Sequence, residues 1–461
     1  MTDGWFAAVA GAMLVCSLVG AAVAATDGGD GDRTVEWTPD VPDVRGDGIE
    51  APDEPGVATI GDREFDSVQA AVDAAESGET IHLEGTFEER VSVATPDVTL
   101  TSETDAAVID GDGEGTVLTV TAENVTLEGI WIRESGLDKT DDDAGVRVTG
   151  SGATLTDLRL TAITFGVWIG DTTDVTVENS TVAGREDVAV EQRGNGIHLW
   201  EADGTEVRGN AITTVRDGIY YSWARNVHAA ENVMWDLRYG VHYMYSNDNH
   251  LEGNVAFDND VGFALMVSEG LVLEENVAVR NDGPSGHGIL LKDVEDSEIR
   301  GNSVVANGNG LYVYNAQNNA IADNLVLEND LGIHVTGGSQ GERVTGNSFL
   351  ENGQAAYATT NAQVAWNDSE GGNYWSAART VDRDGDGTSD IRHQPAGTVE
   401  TLVHEEPRAG VFAESPAFDT VRLAESSFPV VESPGVVDHR PLAEPLHENW
   451  RTYYDHEDHD H

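Results

Sequence analysis

The sequence predicts an all-β chain folded as a right-handed parallel β-helix, and three observations carry that prediction. First, an asparagine recurs at 210, 232, 254, 276, 302, 324 and 347, with steps of 22, 22, 22, 26, 22 and 23 residues. Second, a glycine column runs in phase with it (Gly166, Gly196, Gly218, Gly240, Gly262, Gly288, Gly310, Gly332), and each glycine opens a short strand such as "GIHL", "GIYY" or "GVHY"; "GVRV" at Gly145 extends the column upstream. Third, the repeats lack helical spacing, and a period of about 22 residues suits one solenoid coil but is too short for a propeller blade. Stacked coils place equivalent residues ~4.8 Å apart. The Asn column is then expected to stack its amides and bond to turn backbone. The Gly column is expected where a side chain would clash or φ must be positive.

The elements follow in chain order. Residues 1–25 contain an uncharged apolar run from Trp5 to Ala25 ending in "AAVAA", which reads as an export signal or an N-terminal anchor. The only cysteine, Cys16, lies there, so the folded part has no internal disulfide and no thiolate metal site. Residues 26–56 are rich in Asp, Gly and Pro and are expected to be an acidic disordered linker. "SVQAAVDAAE" has helical spacing, with Asp66 as its expected cap, and would cover the open N-terminal end of the solenoid. Residues 57–370 form the β-helix, of about ten coils. Residues 371–461 form an irregular segment with strand and turn signals that packs along the solenoid or reaches toward a membrane partner.

The chain has 461 residues and a formal net charge of -58, from 83 acidic and 25 basic side chains. The acidity is spread evenly, which suits a protein soluble in concentrated salt, where self-repulsion is screened; the reading is a halophilic source. Nucleic-acid binding is excluded because no basic stripe is present.

Counting from each Gly, alternation puts positions +1 and +3 inside and +2 and +4 outside. The +2 column reads His198, Tyr220, His242, Ala264, Leu290, Tyr312, His334. The +4 column reads Trp200, Ser222, Met244, Met266, Lys292, Tyr314, Thr336. This face is poor in acid and rich in His, Met and aromatics. His198, Tyr220, His242, Met244, Met266 and His334 are the candidate copper-handling or partner-docking residues, because imidazole with thioether suits Cu(I) and not Ca or Mg. An exposed apolar stripe of this kind is also what a protein interface looks like. His228, His250 and His287 fall elsewhere on the coil.

"DRDGDGTSD" supplies Asp382, Asp384, Asp386 and Asp390 in a calcium-loop pattern, but its twelfth position is His393 instead of Glu. A weak calcium site and a plain acidic turn both fit. The tail "YYDHEDHDH" offers His456, His459 and His461 as a loose metal-capturing segment. A β-helix hydrolase needs paired carboxylates on an outer strand face, and the +2 and +4 columns contain none. That argues against catalysis. A polysaccharide-active or glycan-binding surface protein is the alternative.

"RDGIYYSWARN", "RYGVHYMYSNDNHLEGN", "VGFALMVSEG", "GNYWSAARTVDRDGDGTSDIRHQP" and "FPVVESPGVVDHRPL" resemble the NosD family, from about Arg63 to Leu442, most specifically over 216–270 and 371–442. The resemblance implies an exported, non-enzymatic protein working beside an ABC transporter of ATPase and permease subunits. It also implies a copper chaperone as partner and the copper–sulfur centre of nitrous oxide reductase as the product. Membrane association would then come through partners or an N-terminal anchor. The resemblance supplies no metal ligands; the His/Met assignment rests on the columns alone.

Overall fold

The computed structural model describes residues 34–44, 50–103, 106–359, 363–412, 415–427 and 435–454. The export segment, Cys16 and the tail histidines His456, His459 and His461 lie outside the described residues. The described chain is a parallel β-solenoid. One sheet, here the first, stacks twelve strands from Val91–Val93 to Gln354–Ala358. Two further runs of short strands form the second sheet (Thr99–Thr101 through Arg343–Thr345) and the third (Ala107–Asp110 to Tyr374–Trp375). They are joined at Thr80–Glu88, which pairs with both. The stack extends upstream of the asparagine repeat, because coils there use other residues at the same turn: Ser180 N–H donates to Asn210 Oδ1 in place of an asparagine neighbour.

The asparagine ladder forms as expected. Asn232 Nδ2 donates to Asn254 Oδ1 at 2.8 Å and to Val207 O at 2.8 Å, and Asn254 to 276 and 276 to 302 repeat the pattern. A second ladder, Asn259–Asn281–Asn307–Asn329–Asn352, runs beside it at the next turn. The glycines answer the other question. A Cβ on Gly218 would lie 2.4 Å from Gly240 O, one on Gly240 2.6 Å from Gly262 O, and one on Gly310 2.5 Å from Gly332 O. Close coil-to-coil approach is what selects glycine there; none of these residues has positive φ.

A short helix, Val68–Ala74, buries Val68, Ala71 and Val72 among the first strands. Ser67 caps it, accepting from Ala70 N–H, so the cap falls one residue after the expected Asp66. The expected linker is also corrected. Residues 34–44 lie against the third sheet, where Val35 and Trp37 pack with Val279, Val305 and Tyr453, and Val44 is buried on Ala183 and Ala211. Arg280 donates to Trp37 O and Glu36 N–H to Tyr453 O. Two apolar and one aromatic side chain outweigh the polar composition of this stretch. Toward the C-terminus a three-stranded sheet (Gln363–Ala365, His393–Ala396, Gly435–Asp438) and two helices (Thr398–Glu405, Pro416–Ser427) follow. Trp375 stacks on Phe349 at 4.4 Å, and its Nε1–H donates to the buried Asp438. Trp366, Ala396 and Val436 continue the solenoid core. No helix among the described residues is long and apolar enough to cross a membrane.

Candidate functional site

The glycine column shapes the outer face of the first sheet. In the pairing of Asp217–Ser222 with Tyr239–Met244, Asp217 opposes Tyr239 and Ile219 opposes Val241, with the glycine skipped. Strict alternation fails at that point, and the residue before the glycine joins the outer face beside position +2. Asp217 Oδ2 lies 3.0 Å from His242 Nδ1, Tyr239 packs edge-on to His242 at 5.0 Å, and Phe165 packs edge-on to His198 at 5.4 Å. The argument from the sequence that this face holds no carboxylate is thereby corrected. The +2 and +4 columns lack one, but Asp217 enters from position −1 and is fully buried.

Four of the six candidates converge. His198, Tyr220, His242 and Met244 line one groove of about 280 Å³, with Trp200, Asn195, Lys139, Arg216 and Arg238. The ring column is continuous: His198 to Tyr220 at 4.8 Å and Tyr220 to His242 at 4.9 Å. Two inserted loops form the wall. Lys139, from the loop after Trp131–Arg133, reaches across to donate to Glu191 O in the loop after Thr181–Ala183. A second cavity of about 450 Å³ adjoins it past Lys139, bordered by Arg185 and Arg193. The other two candidates stand apart. Met266 belongs to a neighbouring apolar patch with Val261, Ala264 and Leu290. His334 is held between Tyr312 and Tyr357 further along the stack.

The electrostatics of the groove are unlike the rest of the chain. Arg238 donates through both Nε and Nη2 to Asp217, at 2.8 and 2.5 Å. Burial would raise the Asp217 carboxyl, but the hydrogen bonds from His242 and Arg238 outweigh it and hold it below the usual value. With Nδ1 of His242 engaged by Asp217, Nε2 is the ring nitrogen left for a ligand. Burial pulls Lys139 below its ordinary value, and repulsion from Arg216 adds to the shift. Among the described residues neither Lys139 nor Arg216 has a carboxylate partner, although acidic side chains outnumber basic ones 83 to 25. His198, pushed down to about 4 by burial, is neutral. Its Nδ1 meets Asn195 Nδ2 at 3.0 Å, while His198 Nε2 and Asn195 Oδ1 are buried with no partner. Two imidazoles, a thioether and two unpaired cations therefore face one space. Such a set can hold a soft cation transiently or receive an anionic group.

The calcium-like loop assembles only in part. Asp382, Asp384 and Asp386 bring carboxylate oxygens within 4.8 Å of one another, whereas Asp390 does not join them. Asp382 is occupied by the Gly385 and Gly387 N–H groups, and Asp386 by Thr388 and Arg440. His393, at the twelfth position, packs against Trp375 at 5.6 Å and is not among the grouped donors. Sequence reasoning gave Asp217, Lys139, Arg216 and Arg238 no part in the site. The available signal was that Lys139 is one of only two lysines in the chain.

Residues 179–379 match the family model described as periplasmic copper-binding protein (NosD). The chain is 36% identical over 352 residues to the "Probable ABC transporter binding protein NosD" of Pseudomonas aeruginosa, covering 73% of this chain and 82% of that protein. It is 35% identical over 353 residues to the protein of the same name from Stutzerimonas stutzeri, covering 73% and 80%. Among solved structures it is similar in fold to PfbA, a surface adhesin of Streptococcus pneumoniae, with a TM-score of 0.51, 12% identity, and coverage of 64% of this chain and 88% of that one. With these identities extending over most of both relatives, and with the solenoid they imply observed here, the chain belongs to the NosD family.

Proposed function

We propose that this protein is an extracytoplasmic, non-enzymatic maturation factor that works with an ABC transporter and a copper chaperone. Together they would assemble the copper–sulfur centre of nitrous oxide reductase. The names of its relatives support the transporter association, and the family description supports copper and a periplasmic setting. The observation that carries the reading is the groove: His198, His242 and Met244 beside Lys139 and Arg216, whose cationic heads lack carboxylate partners among the described residues. Copper is cargo here. The buried, unpartnered His198 Nε2 and the Asp217-oriented His242 fit a transient Cu(I) stop, because a closed four-ligand site would not release its metal. The unpaired cations suit docking of an acidic partner surface, and they would speed encounter more than they tighten it.

One observation favours the alternative, a glycan-binding or polysaccharide-active protein. Trp200 is 40% exposed at the rim of a groove that also holds a buried Asp–His pair. Deleting the gene in its host and counting copper in the purified reductase separates the two. Loss of copper from the catalytic centre, restored by the wild-type chain but not by a His242→Asn/Met244→Leu variant of normal fold, is the expected result. A fully metallated reductase in the deletion strain would overturn the maturation role and leave the glycan reading.

A further inference from the structure

The second sheet carries metal-type donors that the groove does not use. His228 and His250 oppose each other in register on adjacent strands, with rings stacked at 4.8 Å and 14°. Glu252 follows His250 by two residues and so points to the same side of the sheet. Glu274 sits opposite Glu252 one coil further on. His228 Nε2 lies 3.1 Å from Glu252 Oε2, and His250 Nε2 lies 2.8 Å from Glu274 Oε1. One donor atom from each of His228, His250 and Glu252 falls within 4.8 Å of the other two.

We propose that His228, His250 and Glu252 form a binding site for a divalent transition-metal ion of borderline softness, Cu(II) or Zn(II). Two imidazole nitrogens and one carboxylate oxygen are too nitrogen-rich for calcium or magnesium, and they lack the sulfur that Cu(I) prefers. Metal–nitrogen bonds of about 2.0–2.1 Å allow the two nitrogens to be at most about 4 Å apart. The ring centroids stand 4.8 Å apart, close to that limit, and both rings are partly exposed. Both Nε2 atoms already face carboxylates, and the ion takes the place of the direct His228–Glu252 contact. Glu274 is anchored by Arg300 and stays beside the site as the partner that orients His250. Among the described residues the only other such group, Asp382, Asp384 and Asp386, offers oxygen alone. The site lies on a different sheet from the groove and does not depend on the maturation role.

The test uses the full chain with His456→Asn, His459→Asn and His461→Asn, which removes competition from the tail, in excess calcium to saturate the aspartate loop. Calorimetric titration with CuCl2 and with ZnCl2 should give saturation near one ion per chain. The Cu(II) paramagnetic resonance spectrum should show coupling to two nitrogens. His228→Asn/His250→Asn should abolish saturable binding. Glu252→Gln, which keeps a hydrogen-bonding partner for His228, should weaken it at least tenfold. Circular dichroism and melting confirm that each variant is folded. No saturable binding by the parent chain, or binding by a folded double variant equal to the parent's, would overturn the proposal, and so would failure of the Glu252→Gln variant to weaken it.

Discussion

Asn276→Leu probes the ladder on which the solenoid rests. Asn276 is buried at 1% exposure. Its Oδ1 accepts from Asn254 N–H and from Asn254 Nδ2, both at 2.9 Å. Its Nδ2 donates to Leu251 O, Glu274 O and Asn302 Oδ1. Leucine has the same branching and the same number of side-chain heavy atoms, so no cavity is opened; the loss counted is of hydrogen bonds. Asn302 Oδ1 keeps the Asn276 backbone N–H, and Asn254 Nδ2 keeps Ala229 O. The Asn254 N–H is left without its acceptor, and the two carbonyls each lose a donor. One orphaned buried group at about 1–3 kcal/mol and four weakened ones at about 0.5–1.5 each sum to about 6 kcal/mol. With a urea slope of about 3 kcal/mol per M the midpoint should fall by about 2 M. Tryptophan fluorescence reads that midpoint. Hydrogen exchange should show faster loss of protection at 251–254 than in distant coils, because solenoid coils couple chiefly to their neighbours. An unchanged midpoint with Asn254 still protected would refute the view that the ladder holds the coils together.

Two more predictions follow from the buried charges. Asp217→Asn leaves Arg238 without an anion and should cost about 2–3 kcal/mol in thermal or urea unfolding, less than the 3–5 of a fully buried pair because Arg238 is 26% exposed; wild-type stability in this variant would show that the pair is not structural. His198 and His393 are both pushed down by burial to about 4 from 6.5, so below pH 6.5 the unfolded chain takes protons that the folded chain refuses. Their contribution is whole above pH 6.5 and is lost as pH falls toward 4, by about 3 kcal/mol for each histidine. Stability curves at stepped pH should show this slope, and His198→Gln should flatten it by about half; a flat wild-type curve between pH 6.5 and 4 contradicts the assignment.

The repeat made the fold legible because solenoid physics writes itself into sequence at a fixed period. Coil after coil places an amide at the same turn and a glycine at the same close approach, so Asn210 to Asn347 and Gly166 to Gly332 were visible as columns. The site was half legible for the same reason. His198, Tyr220, His242 and Met244 occupy one column position each, and in-register stacking brings them together. Their partners obey no period. Lys139 and Glu191 come from inserted loops that interrupt the repeat, and nothing in the spacing says that these loops meet. The N-terminal stretch was misjudged because composition was averaged over residues 26–56, while Val35, Trp37 and Val44 act singly on apolar surface of the third sheet.

Asp217 shows most clearly where period-two reasoning stops. A residue just before a strand's glycine should share the inward face of positions +1 and +3. The carbonyl of the next coil's glycine comes so close that only glycine fits, and the ladder skips that residue. The skipped residue resets the alternation, turning position −1 outward. In most coils this places an ordinary side chain there, such as Val261 or Leu331. At Asp217 it places a carboxylate beneath two imidazoles, and one charge then has several consequences. It recruits Arg238, fixes the face that His242 presents, and attracts Lys139 into a groove that would otherwise be apolar and aromatic. The same steric requirement that stacks the coils thus supplies the buried anion around which the groove is organised.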